Sequence, residues 1–411
     1  MRRRTAWVCG CLIVLAAARA VSAQDAAPAT PAPVVGFQDG FFVQSANGDN
    51  RVVLGLLAQF DGRFSLDDPA PFVDTFTIRK ARPTLTGRIA KYFDFKLMPD
   101  FGGGTAVVQD AYFDVRFSPA FRVRVGKDKV PVGYEWLMGD AYLLFPERAL
   151  VSSLVPARDV GVQVQGDVAG NRVFYAAGVV NGAPDGTTVA TDVDVNNGKD
   201  LAGRVVVQPF KTAKDPGPLN GFGFQIGGSS GKETGALPSF KTSAQQTYFS
   251  YASTATANGT RTRVSPAVFL YYKSFGGFAE YVRSTQAVAK GMALTDVTNR
   301  AWDVSASLLL TGEAATDRIV RPTTPFDPQH GKWGAVQLLA RYSVLTVDPA
   351  AFDAGLAAAN ASQQAKQLSV GANWYPAAYI KYYLLYERTA FDNTAARPDE
   401  HVIVFRAQIA F

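Results

Sequence analysis

The sequence predicts an all-β fold: a sixteen-stranded antiparallel transmembrane β-barrel. Three observations lead there. In the last eleven residues, His401 to Phe411, the side chains Ile403, Phe405, Ala407, Ile409 and Phe411 form one apolar row, with Val404, Arg406, Gln408 and Ala410 between them. A strand with lipid on one side and water on the other needs that period of two. Upstream, strand-length segments separated by turn-rich breaks recur in an even number, as a single-chain bacterial barrel requires. After the N-terminus no run of apolar residues is long enough for a spanning helix, and besides helices only closed barrels satisfy every backbone group in lipid. A soluble secreted β-protein is the competing fold.

The N-terminal elements fit export. Arg2, Arg3 and Arg4 precede an uncharged stretch from Thr5 to Ala18, and Val21-Ser22-Ala23 offers a small-x-small cleavage site. Residues 1–23 therefore read as a signal peptide. Both cysteines, Cys9 and Cys11, lie inside it, so the mature chain has no thiol for disulfides, thiol catalysis or cysteine metal sites. Residues 24–36 form an Ala/Pro spacer, and 37–411 are assigned to the barrel. Removing Arg2, Arg3, Arg4 and Arg19 leaves 37 basic against 35 acidic residues. The positive balance is largely the leader's, so any anion preference must come from where charges sit. Phe411 at the chain end resembles the signal that the barrel-assembly machinery reads.

The strands are expected near 51–66, 74–89, 92–101, 106–118, 121–128, 159–169, 171–181, 200–211, 220–232, 262–274, 276–290, 299–312, 332–347, 366–375, 379–391 and 401–411. Breaks such as Ser118-Pro119-Ala120, Ala169-Gly170-Asn171 and Ser274-Phe275-Gly276 are tight. Long polar or Gly-rich stretches, 128–158, 182–199, 233–261 and 348–365, fall between them. Short turns on one side and long loops on the other mark periplasmic and extracellular faces. The 312–331 connection breaks this alternation, as a plug or an extra strand would.

Parity then assigns faces. Over 74–89, Ala81, Pro83, Leu85 and Gly87 share one face, and Lys80, Arg82, Thr84, Thr86 and Arg88 the other. A charge facing lipid near the midplane costs about 2–4 kcal/mol, so the basic row faces the lumen. The same argument turns Phe93, Phe95 and Leu97 outward and Asp94, Lys96 and Asp100 inward. It points Asp110, Tyr112, Asp114 and Arg116 in from 106–118, and Arg122 and Arg124 in from 121–128. Two readings of this basic-leaning wall stay open: an ordinary wet lumen, or an anion path of successive weak sites.

The stretch 128–158 carries Tyr134, Glu135, Trp136, Tyr142, Phe145, Glu147, Arg148 and Arg158, too apolar for a simple surface loop. It either folds inward, placing Glu147 and Arg148 near a constriction, or forms an external lid. For catalysis only His330 and His401 are available, and neither has a Ser or Asp at a spacing that implies a dyad, so no enzyme and no catalytic residue is assigned. No metal-ligand spacing, no cofactor motif and no nucleic-acid motif is present, and Gly102-Gly103-Gly104 lacks the following helix of a phosphate cradle.

The runs Phe76-Thr77-Ile78-Arg79-Lys80-Ala81-Arg82, Tyr92-Phe93-Asp94-Phe95-Lys96-Leu97-Met98-Pro99-Asp100-Phe101-Gly102, Gln109-Asp110-Ala111-Tyr112 and Arg124-Val125-Gly126-Lys127 resemble the phosphate-selective porin O and P family. So do Pro146-Glu147-Arg148, Arg158-Asp159-Val160-Gly161-Val162-Gln163, Ser307 to Glu313, Ala340-Arg341-Tyr342-Ser343 and Gly371-Ala372-Asn373-Trp374-Tyr375. The resemblance implies an outer-membrane porin of a Gram-negative bacterium: a homotrimer set in lipid and lipopolysaccharide, with small anions in transit. It also implies a third loop folded inside to narrow an anion-binding eyelet. The family's paired basic residues match Arg79 and Lys80, its constriction aspartate Asp110, and the Arg of its inward loop Arg148. Parity adds Arg82, Arg88, Arg116, Arg122 and Arg124 as pore-lining residues. Where the family has a central phosphate-binding Lys, this sequence has Trp136, and a basic residue expected on the first strand falls near Leu57. Phosphate or polyphosphate passage is thereby weakened relative to general anion passage. A non-selective porin and a surface adhesin or receptor barrel, acting through loops 233–261 and 348–365, are the alternatives.

Overall fold

The computed structural model describes residues 32–68, 71–186, 196–212, 214, 217–392 and 397–411. The signal peptide read over 1–23 and most of the 24–36 spacer lie outside them. The end of that spacer differs from its reading: Val34 to Gly36 belong to strand.

Two short strands come first, β1 (Val34–Phe37) and β2 (Phe41–Gln44). Then follow β3 (Arg51–Ser65), β4 (Thr75–Ile89), β5 (Phe93–Asp100), β6 (Val107–Ser118), β7 (Phe121–Lys129), β8 (Arg158–Val168), β9 (Val173–Val180), β10 (Asp200–Val207) and β11 (Phe222–Gly235). A small hairpin, β12 (Ser239–Lys241) with β13 (Thr247–Ser250), separates these from β14 (Ala255–Tyr272), β15 (Phe275–Lys290) and β16 (Ala293–Leu309). The last four are β17 (Ala335–Thr346), β18 (Gln364–Ala377), β19 (Ile380–Phe391) and β20 (Glu400–Ala410), with a short helix α1 (Pro349–Asp353) after β17. Each long strand pairs antiparallel with its neighbour, and β20 pairs back onto β3 from Val402↔Ser65 to Ala410↔Leu57. The barrel is closed with sixteen strands. Below that seam β2 takes the same edge of β3, from Phe41↔Leu54 to Gln44↔Arg51.

Alternation is visible in burial. Along β20, Glu400, Val402, Val404, Arg406 and Gln408 are buried while Phe405 and Ile409 are exposed. Phe76, Ile78, Phe93, Leu97, Phe113, Phe121, Val205, Ile226, Val268, Trp302, Leu338, Leu368 and Leu384 continue the exposed apolar belt around the outside. Such a belt faces hydrocarbon, not water.

Three strands run farther than the sequence suggests. β11 continues to Gly235, β14 starts at Ala255 and β16 at Ala293, so much of the expected 233–261 loop is strand or hairpin. The outward residues of the extra β14 length, Thr256, Asn258 and Thr260, are polar, as suits a strand standing above the lipid. Their composition reads as loop although the period of two is intact. β15 and β16 meet in a tight turn, where Gly291 adopts φ +61°.

The long connection 310–334 is not an extra strand. It is a strap at the tight-turn end, anchored by Val320, which packs with Leu309, Ala335 and Tyr375. Inside the barrel an apolar cluster fills the side walled by β14–β19. Val130, Val132, Leu150, Val151, Leu154 and Val155 of the segment after β7 pack there with Phe240, Tyr248 and Phe249 of the β12–β13 hairpin and with Val282, Val297, Leu345 and Leu356. Open space is thereby left along β3–β10.

Candidate functional site

The site grows from a slip in register. Between β3 and β4 the pairing jumps from Gln59↔Lys80 to Phe60↔Ile78, leaving Arg79 as an extra residue. A bulge of this kind re-aims side chains that strict alternation would send to opposite faces. Arg79 and Lys80 therefore both reach acids of the 130–157 segment. Arg79 donates from Nε to Glu147 Oε1 at 2.7 Å and from a terminal nitrogen to Oε2 at 3.0 Å. Lys80 Nζ lies 3.0 Å from Asp140. Asp100 supports the bulge: one oxygen accepts the Ala81 and Gly102 backbone N–H groups at 3.1 and 2.9 Å, and the other accepts Arg82 Nε at 2.6 Å. A Cβ at Gly102 would stand 2.6 Å from the Arg79 carbonyl oxygen, so only glycine fits there.

A second bulge, between Met98↔Asp110 and Pro99↔Val108, leaves Gln109 extra on β6. Asp110 accepts Arg158 Nε at 2.7 Å and stands 2.7 Å from Lys96 Nζ.

The 130–157 segment is tied to inward-facing residues of the far wall. Glu280 of β15 accepts the backbone N–H of Tyr134 at 2.8 Å and of Glu135 at 3.0 Å, and also the Ser265 hydroxyl at 2.8 Å. Lys381 Nζ donates to Leu143 O at 2.7 Å, Asn373 to Leu144 O at 3.0 Å, and Arg341 to Glu147 O at 2.9 Å. Arg406 holds Asp61 with two hydrogen bonds, at 2.6 and 2.7 Å, and also contacts the Pro146 carbonyl and Glu147.

Two carboxylates of this segment gather most of the cations. Asp140 contacts Lys80, Arg82 and Arg148, with Arg158 at 3.8 Å. Glu147 contacts Arg63, Arg79 and Arg406. Burial alone would raise both carboxyl pKa values, but Arg148, Lys80 and Arg82 around Asp140, and Arg79, Arg406 and Arg63 around Glu147, hold them well below the ordinary carboxylate range. A depressed folded-state pKa contributes stability that is present above the unfolded value, near 4, and is lost as pH falls below it. We therefore expect the loss of melting temperature in Asp140→Asn and Glu147→Gln, measured in detergent, to stay flat from pH 8 to about pH 5 and to shrink below about pH 4. A loss that already shrinks between about pH 8 and pH 5 would show that these two acids are not the ionised core of the site.

Open space runs through the barrel as two cavities, of about 720 and 590 Å³. The upper is lined by seven cationic side chains (Arg63, Arg79, Lys80, Arg82, Arg148, Arg158 and Lys241) against three carboxylates, Asp100, Asp140 and Glu147. The lower has Arg82, Lys96, Arg124, Lys129, Arg158 and Arg204 against Asp39, Asp110, Asp128 and Asp140. Arg82, Asp140 and Arg158 line both, and so mark where the cavities adjoin.

Of the expected residues, Arg79, Lys80, Arg82 and Arg148 come together at the upper cavity and Asp110 and Arg124 line the lower. Arg124 is bound by Asp114 through two 2.7 Å hydrogen bonds and lies 3.7 Å above the Tyr112 ring. Arg88, Arg116 and Arg122 are not part of either lining. Arg88 bonds Asp94 at 2.7 Å, Arg116 lies 3.5 Å from the same acid, and Arg122 stands opposite Arg116 in register. Parity fixes a face but not a depth, and these three lie toward the tight-turn end.

Trp136 lines the upper cavity and donates its Nε1–H to Ala157 O at 3.0 Å. The Arg148 guanidinium lies 4.4 Å over its ring, a cation–π arrangement. Lys129 gives its ammonium to the carbonyls of Trp136 and Met138, at 2.8 and 2.6 Å. On the first strand, Leu57 is buried and the inward cation is Arg63. Sequence reasoning left Arg63, Lys129, Asp140, Arg158 and Arg406 out of the site. Parity along β3 and β20 would have found Arg63 and Arg406; for Asp140, within an irregular loop, no periodic signal exists. The histidines lie apart, His330 2.6 Å from Asp327 and His401 2.7 Å from Asp67. Among the described residues no group of three His, Cys, Asp or Glu is placed to hold a metal ion.

A closed sixteen-stranded barrel with an outer apolar belt and charged cavities through its interior defines an outer-membrane porin. The family model for phosphate-selective porin O and P matches residues 55–411, and the chain belongs to that family. Among solved structures, the fold is similar to the outer membrane channel DcaP of Acinetobacter baumannii (TM-score 0.57, 12% identity, 90% of this chain and 99% of that one). It is also similar to the anion-selective porin from Comamonas acidovorans (0.53, 13%, 88% and 100%) and to the trimer form of OmpT from Vibrio cholerae (0.53, 11%, 88% and 99%). A search of curated protein sequences gives no match.

Proposed function

We propose that this porin passes small anions by passive diffusion, as a homotrimer, with its narrowest region where Arg82, Asp140 and Arg158 line both cavities. The observation that carries the reading is the surplus of cations around two of the three carboxylates of the upper cavity: three touch Asp140 and three touch Glu147. Shared acids hold the guanidinium groups in place without cancelling their field, so an entering anion meets several weak sites in series. The similarity to the anion-selective porin from Comamonas acidovorans and to the trimer form of OmpT agrees with this. The signal peptide over 1–23, the spacer to 36 and the barrel domain over 37–411 belong to the same proposal, as do lipid, lipopolysaccharide and the assembly machinery as partners.

The test is the reversal potential of the refolded protein in planar bilayers under a potassium chloride gradient, with phosphate titrated in. Anion-selective reversal with only weak phosphate block is expected, because an aromatic ring stands where an ammonium would be. Trp136→Lys should tighten phosphate block by about tenfold. Cation-selective reversal would sink the reading.

A further inference from the structure

The lower cavity mixes charged and apolar surface. Beside its cations from β4 to β10 and its four carboxylates stand Leu57 of β3, Leu137 and Tyr142 of the inward segment, and Ile319 of the 310–334 strap. Ile319 gets there because Val320 beside it is anchored in the strap's apolar cluster. Among the cations Arg204 is distinctive. It has no carboxylate partner among the described residues, its Nε is buried without a hydrogen-bond acceptor, and its guanidinium lies 4.8 Å over the Phe174 ring. On β10 it shares the inward face with Asp200 and Ala202.

From this we infer that the lower cavity selects organic anions with an apolar body, such as aromatic carboxylates, over inorganic anions of the same charge. The inference rests on the reading of the pore as an anion path and names its substrate class. Inorganic phosphate presents hydrated oxygen in every direction, and pressing it against Leu57, Leu137 and Ile319 strips water without replacing it. A carboxylate on an aromatic ring satisfies both kinds of surface at once. Its oxygens take the unpaired donors of Arg204, and its ring removes apolar surface of the strap and the inward segment from water. Trp136 with Arg148 over its face gives the upper cavity the same pairing of ring and cation.

The experiment measures block of chloride current through single channels of the full-length refolded protein by potassium benzoate, acetate and phosphate. Benzoate should reach half-block at about a tenth of the acetate concentration, since partial burial of its ring adds that much affinity. Arg204→Gln and Ile319→Ser should each close most of that gap, while acetate block changes little in Ile319→Ser. Position 319 lies outside the sheet, so this variant carries the test if Arg204→Gln does not fold. Equal block by benzoate and acetate, with anion-selective reversal in potassium chloride, would overturn the inference and leave the anion path standing. Cation-selective reversal would overturn both.

Discussion

Asp140→Asn is expected to shift the reversal potential toward the chloride limit and to destabilise the barrel. Asp140 is buried among Lys80, Arg82 and Arg148, with Arg158 near by. Removing its charge leaves Lys80 and Arg148 without a carboxylate partner, while Arg82 keeps Asp100 and Arg158 keeps Asp110. Breaking a buried ion pair by deleting one partner costs about 3–5 kcal/mol, because the remaining charge is desolvated and unpaired. Part of that cost is relieved here when chloride enters, which is why selectivity and stability should move in opposite directions. Bilayer reversal potentials and thermal unfolding in detergent, with and without high chloride, would check both. If the reversal potential stays at the parent value, Asp140 does not sit in the narrowest part of the path.

The second large effect is expected at Glu280. Its carboxylate takes the Tyr134 and Glu135 N–H groups, while the Tyr134 ring stacks on Phe269 at 5.0 Å between centroids. Glu280→Ala removes the acceptor of two backbone donors, and each buried N–H left unsatisfied costs about 1–3 kcal/mol. The inward segment then loses its hydrogen bonds to β15 while keeping the contacts of Lys381, Asn373 and Arg406. Single-channel conductance should rise and become noisy, with little change in selectivity, since Lys80, Arg82 and Arg148 still hold Asp140 and Arg63, Arg79 and Arg406 still hold Glu147. Quiet openings of parent size would mean that the apolar packing of Leu150, Val151 and Leu154 alone fixes the segment.

The barrel was legible in the sequence because its signal is periodic. Strands at 74–89 and 379–391 appear almost residue for residue as β4 and β19, since lipid on one face enforces strict alternation. The inner charged wall of β4–β7 followed from the same parity. Three things were hidden for physical reasons. The bulge at Arg79 breaks the period by one residue, so parity alone would have sent Arg79 to lipid; only the family resemblance placed it inside. Above the membrane β14 has polar residues on its outer face, which read as loop. The position of Asp140 depends on the path of an irregular segment held by Glu280, Lys381 and Arg406, through contacts 145 to 260 residues apart in the chain that no local pattern announces.

The seam between β20 and β3 joins residues about 350 positions apart, and its last rung is reciprocal: Leu56 N–H donates to Phe411 O at 2.8 Å, and Phe411 N–H to Leu56 O at 3.0 Å. The Phe411 ring is then hemmed in by Phe37 and Phe41, with centroids at 5.7 and 5.9 Å. Contacts of such separation form late, after most loop-closure entropy has been lost. The N-terminal hairpin can complete its clasp on Phe411 only once the seam has shut, so β1 and β2 act as a latch thrown after the door closes. An unlatched barrel would expose both a free strand edge and its terminal aromatic ring, the two features that invite pairing with another chain. Shortening the chain ahead of β2 would thus register first as faster reopening of the seam and more aggregation during assembly, and only later, if at all, in the current carried by barrels that succeed.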